Sequence, residues 1–267
     1  MKTADPEKAR QLIGPAITDV AGEPADSTQI ERLLQRYHWT ASYATDRDVL
    51  EVACGTGQGL GLLRSRARRL LACDLSAENL ATARRTYGHD IALVRADAQK
   101  LPFGDRSLDV VVLLEALYFL PDADAFMSEA RRVLRPGGVC LVSAINKDCP
   151  DFNPAHPLYY RCYGTVELSQ LFVQHGFEPE CAGIIPLDKP SLRRRAFKPL
   201  KAFAVKAHLI PDTMAARRYL KRIVFGKLEP MPANIEAVPR PTATATPVSI
   251  AEPDPVHQVI LCAGKVP

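Results

Sequence analysis

The chain has 267 residues, of which 47% are hydrophobic and 24% charged, with a formal net charge of +4. That composition is ordinary for a soluble globular protein, long enough for one domain or one domain plus an insertion, and the mild positive charge alone selects no partner. The seven cysteines are odd in number and include no C-x-x-C pair, so they read as buried reduced thiols of a cytosolic protein. The first residues, "MKTADPEKARQLIGPA", contain no apolar core of a signal peptide. The longest apolar run, 110–120, is broken by Glu115 and is too short to cross a bilayer.

In chain order, residues 1–45 read as a helical leader whose second half carries Tyr37, His38, Trp39 and Tyr43. From there to 145 the pattern alternates. "VLEVA" (49–53), "LLACD" (70–74), "IALVRAD" (91–97), "VVVLL" (110–114) and "VCLVSAI" (139–145) are short apolar runs that suit strands buried on both faces of a parallel sheet. Helical patterns lie between them. "SAENLATARRTYG" has Ser76 as candidate N-cap and Gly88 just past its end. "DADAFMSEARRVLRPGG" has acids at its start, cations in its last turn and Pro-Gly-Gly as its stop. A helix over 165–175, a strand over about 178–187, a basic helical segment over 188–228, a Pro/Thr/Ala-rich extended connection over 229–255 and a last strand over 256–263 complete the chain. The expectation is a single α/β domain over 1–267. A core over 46–187 would be followed by an insertion over 188–255 and a terminal strand segment over 256–267.

The chemistry starts at "VLEVACGTGQGLGLL", 49–63, where a strand ends in an acid and a glycine-rich turn opens a helix. Missing side chains let a ligand approach the backbone, and a helix start offers free N–H groups. The dinucleotide fingerprint G-x-G-x-x-G fails, because Leu60 or Leu62 stands at its third position. What fits is acid-x-small-x-Gly-x-Gly, at Glu51, Ala53, Gly55 and Gly57. This resembles motif I of the class I S-adenosylmethionine-dependent methyltransferases, in their broad small-molecule branch. That cofactor carries an ammonium and a sulfonium but no phosphate, so an acid beside the glycines suits it and would repel a pyrophosphate. The family usually has Gly where Ala53 stands and often Asp where Glu51 stands.

The family's order of motifs is kept over about 45–145. The resemblance implies that Asp74 accepts from both ribose hydroxyls and that Leu75 packs on the adenine. It further implies that Asp97 and Ala98 meet the adenine edge, that Leu114 contacts the cofactor, and that an aromatic of the leader, Tyr43, closes over it. A competing reading makes Asp74 and Asp97 plain helix N-caps and the leader aromatics a packed helix face. Glu115 and Tyr118 stand just past the fourth strand, at the edge where α/β folds bind ligands. His156 lies on the loop after the fifth strand. These three are the candidate bases; against that, Tyr118 reads more readily as a cover over the cofactor and His156 as a surface loop residue.

Between 189 and 227 stand twelve Lys or Arg and one acid, Asp212. Arg217, Arg218, Lys221 and Arg222 share a helical face opposite Tyr219, Leu220, Ile223 and Val224, which makes a basic amphipathic helix. A lid over the acceptor and peripheral contact with an anionic membrane both fit it. Nucleic acid fits poorly, because aromatics are not interleaved with the cations. No Cys/His cluster has metal-ligand spacing, so no metal is expected. The resemblance therefore implies a doubly wound, seven-stranded, mostly parallel sheet with its last strand antiparallel beside the fifth. It implies an enzyme that takes S-adenosyl-L-methionine, leaves S-adenosyl-L-homocysteine, and methylates a small-molecule or lipid- or glycan-linked acceptor, chiefly at oxygen. A nucleic-acid or protein methyltransferase and a cofactor-binding protein without turnover are the alternatives, and the cysteines and the N-terminal residues suit a cytoplasmic setting. Oligomeric state is not legible.

Overall fold

The five apolar runs become neighbouring parallel strands, and Val110, Val111, Val112 and Leu113 at their centre are fully buried. The computed structural model describes residues 20–152, 159–187 and 228–267. Its elements run β1 (Pro24–Ala25), α1 (Ser27–Ala44), β2 (Asp48–Val52), α2 (Leu60–Arg64), β3 (Arg69–Asp74), α3 (Ala77–Tyr87), β4 (Ala92–Arg95) and β5 (Leu108–Leu114). After a 3-10 turn at Leu117–Phe119 come α4 (Ala123–Val133), β6 (Leu134–Ile145), α5 (Thr165–Gln174), β7 (Glu178–Pro186), β8 (Glu229–Pro230), β9 (Thr246–Val248) and β10 (His257–Lys265).

The main sheet has the order β4-β3-β2-β5-β6-β10-β7-β9. Strands β2 to β6 are parallel, and β10 runs antiparallel between β6 and β7, with Val259 opposite both Ile145 and Ile184. The antiparallel last strand beside the fifth is thus as expected. Among the described residues the sheet has eight strands rather than seven, because Thr246–Val248 of the Pro/Thr-rich connection adds to the edge of β7. A second, two-stranded sheet pairs β1 with β8.

Alternation along β5 divides the core. Val110, Val112 and Leu114 face α1, α2 and α3, while Leu108, Val111 and Leu113 face α4 and α5, where Phe126 and Phe172 fill the layer. Ser76 caps α3 by accepting from Asn79 N at 3.2 Å, and Gly88 ends it at φ +56°. One boundary differs from the expectation: Pro136-Gly137-Gly138 does not stop α4, which ends at Val133, but lies inside β6 where the pairing with β5 shifts register. The basic segment 188–227 and His156 lie outside the described residues.

The amino edge of the sheet is closed by charge. Asp48, at the start of β2, meets Arg68 at 2.9 Å, Arg135 at 3.2 Å and Arg69 at 3.3 Å, and Asp109 of β5 meets Arg135 at 2.6 Å. These guanidiniums hold the Asp48 carboxyl below the usual range despite its burial.

Candidate active site

The carboxyl edge is built differently. β2 ends at Val52, and the chain turns through Ala53 at φ +55°, Gly55 at φ +58° and Gly57 at φ +86°. Three left-handed residues in five explain the glycines, and one of the three is an alanine, where the left-handed form costs about 1–2 kcal/mol. The neighbouring strand, β5, also leaves through a strained residue, Glu115 at φ +54°. Gly59 has a further reason: a Cβ there would run into the Tyr37 ring. A Cβ on Gly57 would sit 3.0 Å from Ala83 and Leu60. Tyr87 Oη donates to Gly57 O at 2.7 Å and accepts from Gly61 N at 3.2 Å, fixing the turn from outside.

Glu51 points into this turn and is 1% exposed. Tyr37 Oη donates to its Oε1 at 2.5 Å, and Oε2 is buried with no hydrogen-bond partner. Burial pushes the carboxyl up to about 7; Tyr37 and Arg36 pull it down, and neighbouring Asp74 pushes it further up. Asp74, at the end of β3, is also buried, and burial raises its carboxyl too. Its Oδ2 accepts from Gly55 N at 2.8 Å, and its Oδ1 from Ser76 N at 2.8 Å and Asn79 Nδ2 at 3.3 Å. Asp74 thus both ties the turn and supports the α3 cap, leaving Oδ2 one acceptor site. Leu75, half-buried, and Ala98, buried, flank it beyond β3 and β4. Asp97 caps no helix; its Oδ1 accepts from Gln99 N at 2.9 Å within a tight loop.

Glu115 and Tyr118 are brought together just past Leu114. Tyr118 Oη donates to Glu115 Oε2 at 3.2 Å, and Ser143 Oγ donates to Oε1 at 3.1 Å. Burial and the Glu115 charge push the Tyr118 phenol well above its ordinary value. Tyr159 and Phe119 stack against Tyr118, with ring centroids at 4.9 Å and 4.7 Å.

Tyr43 is not with these residues. It packs against Trp39 at 5.4 Å, in a groove of about 470 Å³ lined by β7 and β9. The reason is helical geometry: six residues turn the helix by about 240°, so when Tyr37 faces Glu51, Tyr43 faces away. The aromatic at the turn is Tyr37. Arg36 and Tyr87 also belong to the site and were not singled out by the sequence. The available signal for Arg36 is a cation beside Tyr37 on the face of α1 that meets the sheet. Among the described residues, no group of three or more metal-ligating side chains exists, and no helix is long and apolar enough to cross a membrane.

Residues 50–142 match the family model described as a methyltransferase domain. A probable S-adenosylmethionine-dependent methyltransferase of Mycolicibacterium smegmatis is 37% identical over 147 residues, 54% of this chain and 57% of that protein. A fatty-acid O-methyltransferase of the same organism is 38% identical over 125 residues, 44% of this chain and 45% of that protein. The chain therefore spans less than two thirds of the length of the curated relatives it matches. A solved Thermotoga maritima structure, described as an S-adenosylmethionine-dependent methyltransferase, superimposes with a TM-score of 0.57 at 14% identity, over 90% of this chain and 91% of that one. At that identity the likeness speaks for the fold. Over residues 50–142 the chain is thus similar to S-adenosylmethionine-dependent methyltransferase domains, and its sheet is Rossmann-like, as the resemblance implied.

Proposed function

We propose that the chain transfers a methyl group from S-adenosylmethionine to an oxygen atom of a small or lipid-like acceptor. The observation that supports it most is Glu51 Oε2, a buried acceptor with no partner beside the glycine turn. An unpartnered buried carboxylate is costly, and a second acid next to it makes it more so. A cationic ligand group removes both costs, and the cofactor's ammonium is such a group. Asp74 Oδ2 keeps one acceptor site for a ribose hydroxyl, and Leu75 with Ala98 offers apolar cover for a purine. The residues present fit the cofactor. When bound, it supplies an electrophilic methyl carbon on a sulfonium, already a good leaving group.

What is left to the chain is holding donor and nucleophile in line and excluding water. Tyr118, Phe119 and Tyr159 form an aromatic wall past β5 suited to an apolar acceptor, and the fatty-acid O-methyltransferase relative supports an oxygen nucleophile on such a molecule. The test is calorimetric titration of the cofactor, then mass spectrometry of methylated products from cell extract split into aqueous and lipid fractions. Micromolar binding and a methylated lipid-fraction product are expected. No binding, or methyl label only in nucleic acid or protein, would overturn the proposal.

A further inference from the structure

The inward face of α1 carries two arginines one turn apart, Arg32 and Arg36. A cation on such a face needs something to meet it. Arg36 is 7% exposed, and its charge bears on Glu51, Tyr37 and Tyr118, which places it at the cofactor end. Arg32 stands one turn towards the start of the helix. Its Nη2 reaches a neutral amide, Gln258 Oε1, at 3.4 Å, and its Nε is buried with no hydrogen-bond partner. Its charge is felt at Tyr159, whose ring lies against Tyr118 and Phe119. Tyr160, whose N–H donates to Tyr118 O at 2.9 Å, has a second buried, unpartnered polar atom in its hydroxyl.

The aromatic wall thus lies within electrostatic reach of a guanidinium whose buried Nε has no hydrogen-bond partner. Among the described residues of the wall, the Tyr118 phenol holds its proton, and both oxygens of Glu115 are engaged as hydrogen-bond acceptors. His257, on β10, is bonded to Asp254 at 2.8 Å and packs against Gly183 of β7, on the side of β10 away from β5.

We propose that the acceptor is a carboxylic acid whose carboxylate is received by Arg32, with its apolar remainder against Tyr118, Phe119 and Tyr159. This rests on the methyl-transfer reading above. A guanidinium matches a carboxylate in shape as well as charge. The chemistry then needs no proton transfer. A carboxylate oxygen forms the new bond to the methyl carbon while the carbon–sulfur bond breaks, and its electron pair stays on sulfur. One anion and one cation become a neutral ester and a neutral thioether.

The test uses the full chain saturated with S-adenosylhomocysteine, into which dodecanoate, dodecan-1-ol and methyl dodecanoate are titrated. Dodecanoate is expected to bind about tenfold or more tightly than the other two. Arg32→Gln should remove that advantage and raise KM for the acid more than it lowers kcat. Arg32→Lys should keep part of it, and neither variant should change affinity for S-adenosylmethionine. Equal dodecanoate affinity in wild type and a folded Arg32→Gln would overturn the assignment. So would faster methylation of the alcohol than of the acid, lost in His257→Gln. A chain that binds dodecanoate through Arg32 but binds no S-adenosylmethionine would break the methyl-transfer reading alone.

Discussion

Strand β2 carries a buried acid near each end, and the two are opposites. Asp48, at the amino edge, is met by three arginines and its carboxyl is held low. Glu51, three residues on, has one tyrosine hydroxyl, one oxygen without a partner and a carboxyl raised to about 7. One backbone carries both, so the difference lies in what surrounds each. At the amino edge the chain satisfies its own charges. At the carboxyl edge it leaves a negative demand that an outside cation can meet, which separates a stabilising acid from a functional one.

The largest effects come from removing that demand. Glu51 binds its proton more tightly in the folded state, 4.5 being its ordinary value and about 7 its folded one. Its cost to stability is absent below pH 4.5, grows between there and about 7, and stays constant above. Glu51→Gln should therefore raise unfolding stability at pH 8 by up to about 3 kcal/mol, read by denaturant titration. It should also weaken S-adenosylmethionine binding by about 10- to 100-fold, the loss of a charge-assisted hydrogen bond. A variant that is no more stable, or that binds as well, would erase the contrast.

The same proton gives a pH test. Below about 7 the free protein's Glu51 must lose its proton to receive an ammonium. Affinity for S-adenosylmethionine should then fall as pH drops from about 7 towards 5.5, approaching tenfold per unit. Glu51→Gln should show a flat profile over that range. Calorimetry at several pH values decides it, and a flat wild-type profile would place the titrating group elsewhere.

At the other end of the strand the sign reverses. A lowered carboxyl such as Asp48 gives stability that is present above its unfolded pKa and lost as pH falls through its folded one. Asp48→Asn should destabilise at pH 8 by on the order of 1 kcal/mol, because its arginine partners are partly exposed. Thermal melts should show the loss shrinking in acid. The smallest effect belongs to the turn after Glu51. Ala53→Gly relieves the left-handed strain but loosens the unfolded chain, for a net gain of about 0.5–1 kcal/mol. A lower melting temperature in that variant would mean that the alanine methyl packs usefully.

The parallel core was legible because its strands are continuous apolar runs and its turns carry their own chemistry: Ser76 and Gly88 bound α3 as read, and Glu51, Gly55 and Asp74, singled out by the resemblance, lie together at the carboxyl edge. The misreadings are those that depend on rotation or on distant pairing. Which of Tyr37 and Tyr43 meets Glu51 depends on how α1 is turned about its axis, and its aromatics at 37, 39 and 43 do not settle that. Strand β9 was read as part of a connection, because three residues with a proline among them become a strand only where the edge of β7 offers partners. Arg32 carries no signal of its own in the sequence, and only the position of β10 brings Gln258 to it.

The interior position of β10 has a consequence for synthesis. Among the described strands β7 pairs in the main sheet with β10 and β9 alone, and β10 is the most C-terminal of them. A nascent chain that has released α5 and β7 from the ribosome still lacks the strand that joins them to the parallel half. Until residues 257–265 emerge, β6 and β7 each expose an unpaired edge where β10 will enter. The sheet must therefore close from the middle outward after translation has passed that point, a non-local step that is slow and open to wrong pairing. The parallel half can take shape on the ribosome, and β7 with β9 can join it only after β10 has emerged.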